Sequence, residues 1–271
     1  MKQDMYNVVD QILVPHATFE AATRKLLQCM KGAEGSMEPI CMAVIGESRT
    51  GKTRVLEYIE NKYPSQRLDD GMKIPVLRVT TPSAPTIKGL AAEILSSIGD
   101  PMPDKGTVNN MTSRIVTLVR GCGVRIIMID EFQHFYDKER KKVMHSVADW
   151  FKVLVDRCKV ALVVSGLPSC QAVLNQNEQL AGRFLAPIHM PRFDWSDDDL
   201  RGQFIDILEC FHSSLDQFDL PALDSDEMAF RFYCASGGLI GYVVKILRQA
   251  VWNATDSDST VITLQNLACA C

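Results

Sequence analysis

The segment from Gly46 to Thr53 constrains the fold of this chain more than any other. It follows an apolar run, Ile40 to Ile45, that predicts a buried strand, and it opens a stretch with helical spacing, Lys52 to Tyr63. A G-x-x-x-x-G-K-T sequence between a strand and a helix is typical of a phosphate-binding loop. Its glycines let backbone N–H groups surround phosphate oxygens at a helix N-terminus. The motif therefore predicts an α/β fold with a nucleotide-phosphate site.

The residues of this loop have expected roles in holding ATP and Mg²⁺. We expect Lys52 to reach the β- and γ-phosphates and the Thr53 hydroxyl to bind Mg²⁺. The residues expected to surround the nucleotide are Gly46, Glu47, Ser48, Arg49, Thr50, Gly51, Lys52 and Thr53. A chance match in a surface loop is the alternative, and the flanking strand and helix argue against it.

A second motif ends a later apolar run in two acids. The run Arg125 to Ile129 predicts a strand buried on both faces, and Asp130 and Glu131 follow it directly. Because ligands bind at the carboxyl ends of parallel strands, we expect both acids beside the phosphate loop. There Asp130 would hold Mg²⁺ through water, and Glu131 would orient and polarise the attacking water. A strand that simply ends in solvated acids is the alternative.

Two further residues are candidates because of their places in the predicted fold. Ser165 ends the predicted strand Ala161 to Val164, where a hydroxyl would sense the γ-phosphate or position the water. A turn-forming Ser before Gly166 is the alternative. Arg183 follows a later helix, and its guanidinium suits stabilisation of the phosphoryl group transferred in a neighbouring subunit. An intramolecular salt bridge is the alternative for Arg183.

Alternation of strand-like and helix-like segments predicts the architecture. The strand-like runs are Ile40 to Ile45, Val76 to Val79, Arg125 to Ile129 and Ala161 to Val164. The helical patterns between them are Lys52 to Tyr63, Thr86 to Ile98, Val108 to Val119 and Lys141 to Arg157. This alternation predicts right-handed βαβ units and a doubly wound parallel sheet.

The sequence predicts three parts. We expect an N-terminal helical arm at 1–38, an α/β nucleotide-binding domain at 39–191 and a C-terminal helical lid subdomain at 192–271. The lid is expected because strand signals stop after Phe193, and Asp194 to Asp199 supplies a capping residue and an acidic first turn.

Composition limits the classes of function. The 271 residues include 29 Lys and Arg against 33 Asp and Glu, a net charge of −4, so any DNA contact must be local or repeated by assembly. Nine scattered cysteines lack zinc-ligand spacing. We find neither a signal-peptide pattern nor an apolar run long enough to cross a membrane, and we therefore expect a cytoplasmic, DNA-associated protein without membrane contact.

Five segments together resemble the TniB and TnsC transposition proteins, which are AAA+ ATPases of bacterial transposons, some of them CRISPR-associated. The segments are Ala43 to Thr53, Pro82 to Leu90, Lys105 to Thr107, Gly123 to His134 and Gln179 to Phe184. The phrase Ile-Asp-Glu-Phe-Gln-His is more specific than the phosphate loop alone. The resemblance covers residues 15 to 268 and implies an AAA+ P-loop NTPase with a helical lid.

The resemblance also implies partners. It implies an ATPase that forms rings or helical filaments of itself on double-stranded DNA, links a TniQ-type target selector to the DDE transposase, and disassembles on hydrolysis. Lys88 and Thr107 match the family's contacts to the DNA backbone, and Lys105 is a neighbour of Thr107. An exposed helix lysine is the alternative for Lys88. Repeated phosphate contacts would make attachment strong, salt-sensitive and independent of sequence.

The lid segment departs from the pattern of many AAA+ proteins. Tyr242 stands where they carry a sensor arginine, so either Lys245 or Arg248 substitutes or nucleotide sensing by the lid is weak. Two further features carry no functional hypothesis. We interpret His134 as a packed histidine and the cluster Lys138 to Lys142 as a solvated helix start.

Two rival functions stay open. One is a helicase loader of the IstB or DnaC type, which would share the fold. The other is a P-loop small-molecule kinase, which the acidic segment Asp194 to Asp199 disfavours because such an enzyme needs basic lid residues.

Overall fold

The computed structural model describes residues 5–69, 71–83, 85–136 and 141–270, apart from the side chains of 141–143. The cluster Lys138 to Lys142 therefore lies outside the described residues, except for the backbone of its last two members.

The chain forms two compact units. One, which we call the α/β unit, comprises Ala21–Ser48 and Lys52–Met190. The other, the helical unit, comprises Met1–Glu20, Arg49–Gly51 and Pro191–Cys271. The segment 1–38 contributes residues to both units, and the three-part division expected from the sequence stays a prediction.

A five-stranded parallel sheet forms the centre of the α/β unit. The strands, in chain order, are β1 (Cys41–Gly46), β2 (Gln66–Leu68), β3 (Gly71–Lys73), β4 (Val76–Thr80), β5 (Ile126–Asp130), β6 (Ala161–Gly166) and β7 (Ile188–Met190). The parallel sheet has the order β4-β5-β6-β1-β7, while β2 and β3 form a separate antiparallel pair. The predicted α/β class with a parallel sheet is confirmed.

The helices account for most of the remaining chain. In chain order they are α1 (Val8–Gln11), α2 (Ala17–Gly32), α3 (Lys52–Lys62), α4 (Ile87–Ser97), α5 (Val108–Gly121), α6 (Lys141–Cys158), α7 (Cys170–Leu174), α8 (Glu178–Ala181), α9 (Asp198–Ser214), α10 (Asp226–Ser236), α11 (Ile240–Asp256) and α12 (Leu264–Cys269). A short 3₁₀ turn, Phe132–Phe135, follows β5.

The sheet brings the expected site residues to one edge. All five residues from Cys41 to Ile45 are buried, as expected for a parallel strand covered on both faces. In the parallel register Thr80 lies opposite Asp130, Ile129 opposite Val164, and Val44 opposite Ser165. The carboxyl ends of β4, β5, β6 and β1 therefore meet at the same edge.

The helical unit has its own apolar core. Phe204 and Phe211 of α9 pack with Leu247 and Val251 of α11, and all four are almost fully buried. The side chain of Asp197 caps α9 by accepting a hydrogen bond from the backbone N–H of Leu200 at 3.0 Å, as the sequence predicts for this segment.

Among the described residues, no single helix has the length and apolar composition that crossing a membrane requires. Helices α10 and α11 pass that test only as a pair, with a bend of 107° between them.

Candidate active site

Lys52 is the first residue of α3 and is only 6% exposed. Its Nζ donates hydrogen bonds to the backbone oxygens of Gly46 and Glu47, at 2.9 and 2.6 Å. Burial lowers the pKa of Lys52 from its ordinary value, while the carboxylates of Glu131 and Asp130 act in the opposite direction. The amine predicted to contact phosphate is therefore held in the loop, in the electrostatic field of both acids.

Thr53 and Asp130 form the closest polar contact between the two predicted motifs. The Thr53 hydroxyl donates to Oδ2 of Asp130 at 2.7 Å, and Oδ1 accepts from the backbone N–H of Glu131 at 2.9 Å. Asp130 is 2% exposed, so its carboxylate depends on these partners. A hydroxyl and a carboxylate are the hard oxygen ligands that Mg²⁺ uses in nucleotide sites.

The donor set suits a Mg²⁺ ion shared with a nucleotide. No group of three or more His, Cys, Asp or Glu suited to hold a metal occurs within the described ranges. Mg²⁺ usually takes one or two protein oxygens and completes its octahedral shell with water and substrate phosphates. Thr53 and Asp130 fit that arrangement, and when bound there the ion would neutralise charge on the phosphates.

Glu131 occupies an unusual backbone conformation directly after β5. Its φ is +56°, in the left-handed region. This conformation costs a residue other than Gly about 1–3 kcal/mol, and residues that adopt it cluster at functional sites. The side chains of Gln133 and His134 both approach its carboxylate, with His134 Nε2 at 3.7 Å. His134, interpreted from the sequence as packed, is instead partly exposed beside the candidate base.

Ser165 lies between the two motif strands and is fully buried. Its Oγ has no hydrogen-bond partner among the described residues. A buried hydroxyl in this state costs about 1–3 kcal/mol, and a functional role is one explanation for its retention. The position therefore agrees with the predicted contact to γ-phosphate or water, which stays a prediction.

Thr81 is a residue that the sequence interpretation missed. It directly follows β4, is 2% exposed, and its backbone N–H donates to the backbone oxygen of Asp130 at 2.9 Å. Like Ser165, its hydroxyl has no partner in the part of the chain that the structure describes. The available signal was a polar residue close to the end of the predicted strand Val76 to Val79, the kind of position that selected Ser165.

Arg183 is engaged within its own chain. Its Nε donates to Oδ1 of Asp156 at 2.9 Å, a second guanidinium nitrogen lies 2.7 Å from the same oxygen, and the backbone oxygen of Gln179 accepts another bond. This is the salt bridge left open as the alternative.

The backbone oxygen of Arg183 accepts from the N–H of Cys41, at the amino end of β1. At about 3.3 Å per residue, that end of β1 lies roughly 16 Å from Gly46 at its other end. If Arg183 acts on a nucleotide, we therefore expect that nucleotide to be bound by a neighbouring chain. The predicted role across subunits would require the Arg183 guanidinium to leave its ion pair with Asp156.

The lid candidates lie in the helical unit, to which loop residues 49–51 also belong. The guanidinium of Arg49 lies 4.6 Å from the ring centroid of Tyr242, and Lys245 Nζ lies 5.8 Å from the same ring. The backbone N–H of Gly241 donates to the backbone oxygen of Arg49 at 3.0 Å. Arg248 forms an ion pair with Asp10. Tyr242 is thus the lid candidate that contacts a loop residue, and Lys245 approaches Tyr242.

The residues predicted to contact DNA lie at helix starts and in an exposed loop. Lys88 is exposed in the first turn of α4, and the side chain of Thr107 caps α5 by accepting from the N–H of Asn110 at 3.3 Å. Lys105 is 71% exposed and lies 3.6 Å from Asp104. Helix N-termini with exposed donors suit phosphate oxygens.

Arg114, which the sequence interpretation also missed, organises the loop that carries Lys105 and Thr107. Its guanidinium donates to Oδ2 of Asp100 at 2.9 Å and to the backbone oxygens of Lys105 and Met102 at 2.8 and 2.7 Å. The half-buried side chain of Arg114 on α5 thus holds the loop through three hydrogen-bond acceptors, one on each of Asp100, Met102 and Lys105. Its helical spacing alone gave no signal of these contacts.

Solved structures share this fold at low sequence identity. The Orc1 protein of Aeropyrum pernix, solved in complex with DNA, is 17% identical with a TM-score of 0.67, covering 98% of this chain and 68% of that one. Cdc6p of Pyrobaculum aerophilum is 15% identical with a TM-score of 0.67, covering 94% and 67%. Domain III of the Thermotoga maritima replication initiation protein DnaA is 15% identical with a TM-score of 0.58, covering 97% and 95%.

These likenesses confirm the AAA+ fold predicted from the sequence. No curated protein matches the sequence. Residues 6–195, well over half of the chain, match the family described as the bacterial TniB protein. The chain therefore belongs to the TniB family, and it is a transposition-associated ATPase of the AAA+ fold.

Proposed function

We propose that this protein assembles on double-stranded DNA in its ATP-bound state and regulates transposition from there. In this proposal it links a TniQ-type target selector to the DDE transposase, and Mg²⁺-dependent hydrolysis of ATP drives disassembly. Membership in the TniB family supports the biological setting. The arrangement of Lys52, Thr53, Asp130 and Glu131 supports the chemistry.

The hydrogen bond between Thr53 Oγ1 and Asp130 Oδ2, 2.7 Å long, carries the proposal of hydrolysis. It joins the phosphate-binding loop to the last residue of β5, and the candidate base Glu131 follows directly, so a metal ligand and a proton acceptor are adjacent. In the proposed step, Lys52 holds the phosphates and the Glu131 carboxylate accepts a proton from the attacking water. Ser165 and Thr81 supply buried hydroxyls at the same sheet edge for the water or the γ-phosphate.

Assembly explains how a chain with a net charge of −4 would hold DNA. Lys88, Lys105 and Thr107 offer a few phosphate contacts per subunit, and repetition along DNA would make the sum strong and salt-dependent. Arg183, located away from the phosphate loop of its own chain, would complete the site of a neighbour. Similarity to an archaeal Orc1 solved with DNA supports the compatibility of this fold with DNA.

Electron microscopy of the full chain with linear duplex DNA tests the proposal. We expect ordered rings or filaments on DNA with a slowly hydrolysed ATP analogue, and far fewer without nucleotide. Monomers under every condition would contradict it. A pull-down that recovers replicative helicase instead of transposase would favour the helicase-loader alternative.

A further inference from the structure

The side chain of Gln133 bridges Glu131 and the end of β6. Its Oε1 accepts a hydrogen bond from the backbone N–H of Leu167 at 3.1 Å, and its Nε2 donates to Oε2 of Glu131. The partners determine the orientation of this amide, because an N–H requires an oxygen acceptor and a carboxylate requires a donor. One planar group therefore ties the candidate base to the segment that follows Ser165.

The 3₁₀ turn that carries Gln133 is firmly anchored. Phe132 and Phe135, three residues apart and thus on one face of the turn, are almost fully buried. Their rings lie 5.2 and 6.4 Å from that of Phe151 on α6, at angles of 68° and 84°. Edge-to-face packing of this kind fixes ring positions. The packing of Phe132 and Phe135 in the core therefore fixes the backbone of the turn that carries Gln133 and follows Glu131.

The end of β6 has space for this amide only because residue 166 is glycine. A Cβ on Gly166 would lie 2.2 Å from Gln133 Oε1 and 2.5 Å from the Sγ of Cys170, closer than such atoms can approach. That Sγ lies 3.9 Å from Gln133 Oε1 and donates to it. Burial raises the pKa of Cys170 to about 12, which keeps the thiol in its neutral, donating form.

We propose that Gln133 is a positioning residue that acts through Glu131, by tying the carboxylate of the base to the strand end that carries Ser165. The proposal rests on the proposed hydrolysis of ATP and adds a structural requirement to it. Movement of the β6 end and orientation of the base are coupled by the two hydrogen bonds of one side chain. A water or γ-phosphate beside Ser165 then meets a carboxylate that is already oriented.

Two variants separate the two hydrogen bonds. Gln133→Ala removes both. Gln133→Glu keeps the size of the side chain and an acceptor for Leu167, but it places a second carboxylate against Glu131. Gln171→Ala, which truncates an exposed glutamine on the nearby helix α7, is the matched control.

Steady-state ATP hydrolysis with duplex DNA and Mg²⁺ is the measurement. We expect Gln133→Ala to lower kcat about 10- to 100-fold with KM within roughly 2-fold, because misplacement of a reacting group by about 1 Å has effects of this size. Gln171→Ala should match the wild type. The variant Gln133→Glu should also lower kcat, because it keeps the acceptor for Leu167 but replaces the N–H donor to Glu131 with a second carboxylate.

The other titratable groups near Glu131 belong to Lys52, Asp130, His134 and Cys170, and they are unchanged in every variant. Wild-type kcat in Gln133→Ala or in Gln133→Glu would overturn the inference while the proposed function stands. A fall in kcat would also overturn it if ATP affinity fell by a similar factor and the melting temperature decreased, since that pattern indicates a purely structural role. A wild-type protein that does not hydrolyse ATP would instead overturn the proposed function.

Discussion

The candidate catalytic groups and the candidate DNA-contacting groups of this chain are built in opposite ways. Lys52 and Asp130 are buried and hydrogen-bonded, whereas Lys88 and Lys105 are exposed at a helix start and in a loop. Removal of a partner from a buried polar group costs far more than removal of an exposed charge. The difference suggests that catalysis depends on single residues, while DNA attachment depends on the sum over many subunits.

The largest effect should come from Lys52→Ala. We expect the affinity for ATP to fall by about 100-fold or more and DNA assembly to be lost with it, because the loop loses its phosphate-binding cation. Isothermal titration with ATP and a DNA sedimentation assay measure the two losses. Lys62→Ala, at the other end of α3, is the control. Full ATP affinity in Lys52→Ala would show that the loop is not the nucleotide site.

Next in size, Glu131→Gln should separate binding from hydrolysis. We expect kcat to fall about 10²- to 10³-fold while ATP affinity changes little, because only the proton acceptor is removed. Single-turnover and equilibrium-binding measurements give both quantities. Glu93→Gln, an exposed glutamate on α4, should behave as wild type. Equal loss of binding and turnover would contradict the assigned roles.

A third test concerns Arg183, which is neither fully buried nor freely exposed. We expect Arg183→Ala to lower DNA-dependent turnover about 100-fold, since an arginine supplied to a neighbouring site is worth at least that much in related phosphoryl transfers. Asp156→Asn, which weakens its ion pair, should retain turnover.

Mixing Arg183→Ala with Lys52→Ala protein should restore some ATPase activity. The Arg183→Ala subunit supplies an intact nucleotide site, and a neighbouring Lys52→Ala subunit supplies the arginine. Absence of recovery at any mixing ratio would count against action of Arg183 across subunits.

Smaller effects are expected in the loop before α5. Arg114→Ala should weaken DNA binding about 10-fold and leave ATP affinity unchanged, because the loop loses its three fixed points while the phosphate site is untouched. Arg120→Ala, on the same helix, is the control. Fluorescence anisotropy with labelled duplex measures the change. Unaltered DNA affinity would remove this loop from the proposed DNA interface.

The smallest single effect should come from Lys88→Ala. We expect DNA affinity to fall only a few-fold, and the salt dependence of binding to become shallower, because one phosphate contact per subunit is lost. Adding Lys105→Ala should deepen the effect. Lys25→Ala, on the exposed side of α2, should leave the salt slope unchanged. A salt slope identical to the wild type in the double variant would place the DNA interface elsewhere.

The sequence was most informative where one pattern determines both structure and chemistry. The strands β1, β4, β5 and β6 were predicted to within two residues at each end, because buried parallel strands are continuous apolar runs. The phosphate loop was predicted from its spacing and its flanking strand and helix, and its contacts to a nucleotide stay a prediction. By contrast, β7 and the hairpin of β2 and β3 are only three residues per strand, too short to show a periodicity.

Polar contacts between residues distant in the chain could not be predicted from the sequence. The contact of Gln133 with Leu167 joins residues 34 positions apart, and that of Arg183 with Asp156 spans 27. Such pairs depend on the order of strands in the sheet, which no local pattern specifies. The same reason explains why the contacts of Arg114 were missed although its helix was predicted.

The lifetime of DNA-bound assemblies after ATP addition shows whether the nucleotide site controls assembly. We expect wild-type assemblies to dissociate as ATP is consumed and Glu131→Gln assemblies to persist at least about 10-fold longer, because hydrolysis is blocked. Equal lifetimes, with ATP bound in both proteins, would contradict the claim that this site controls assembly on DNA.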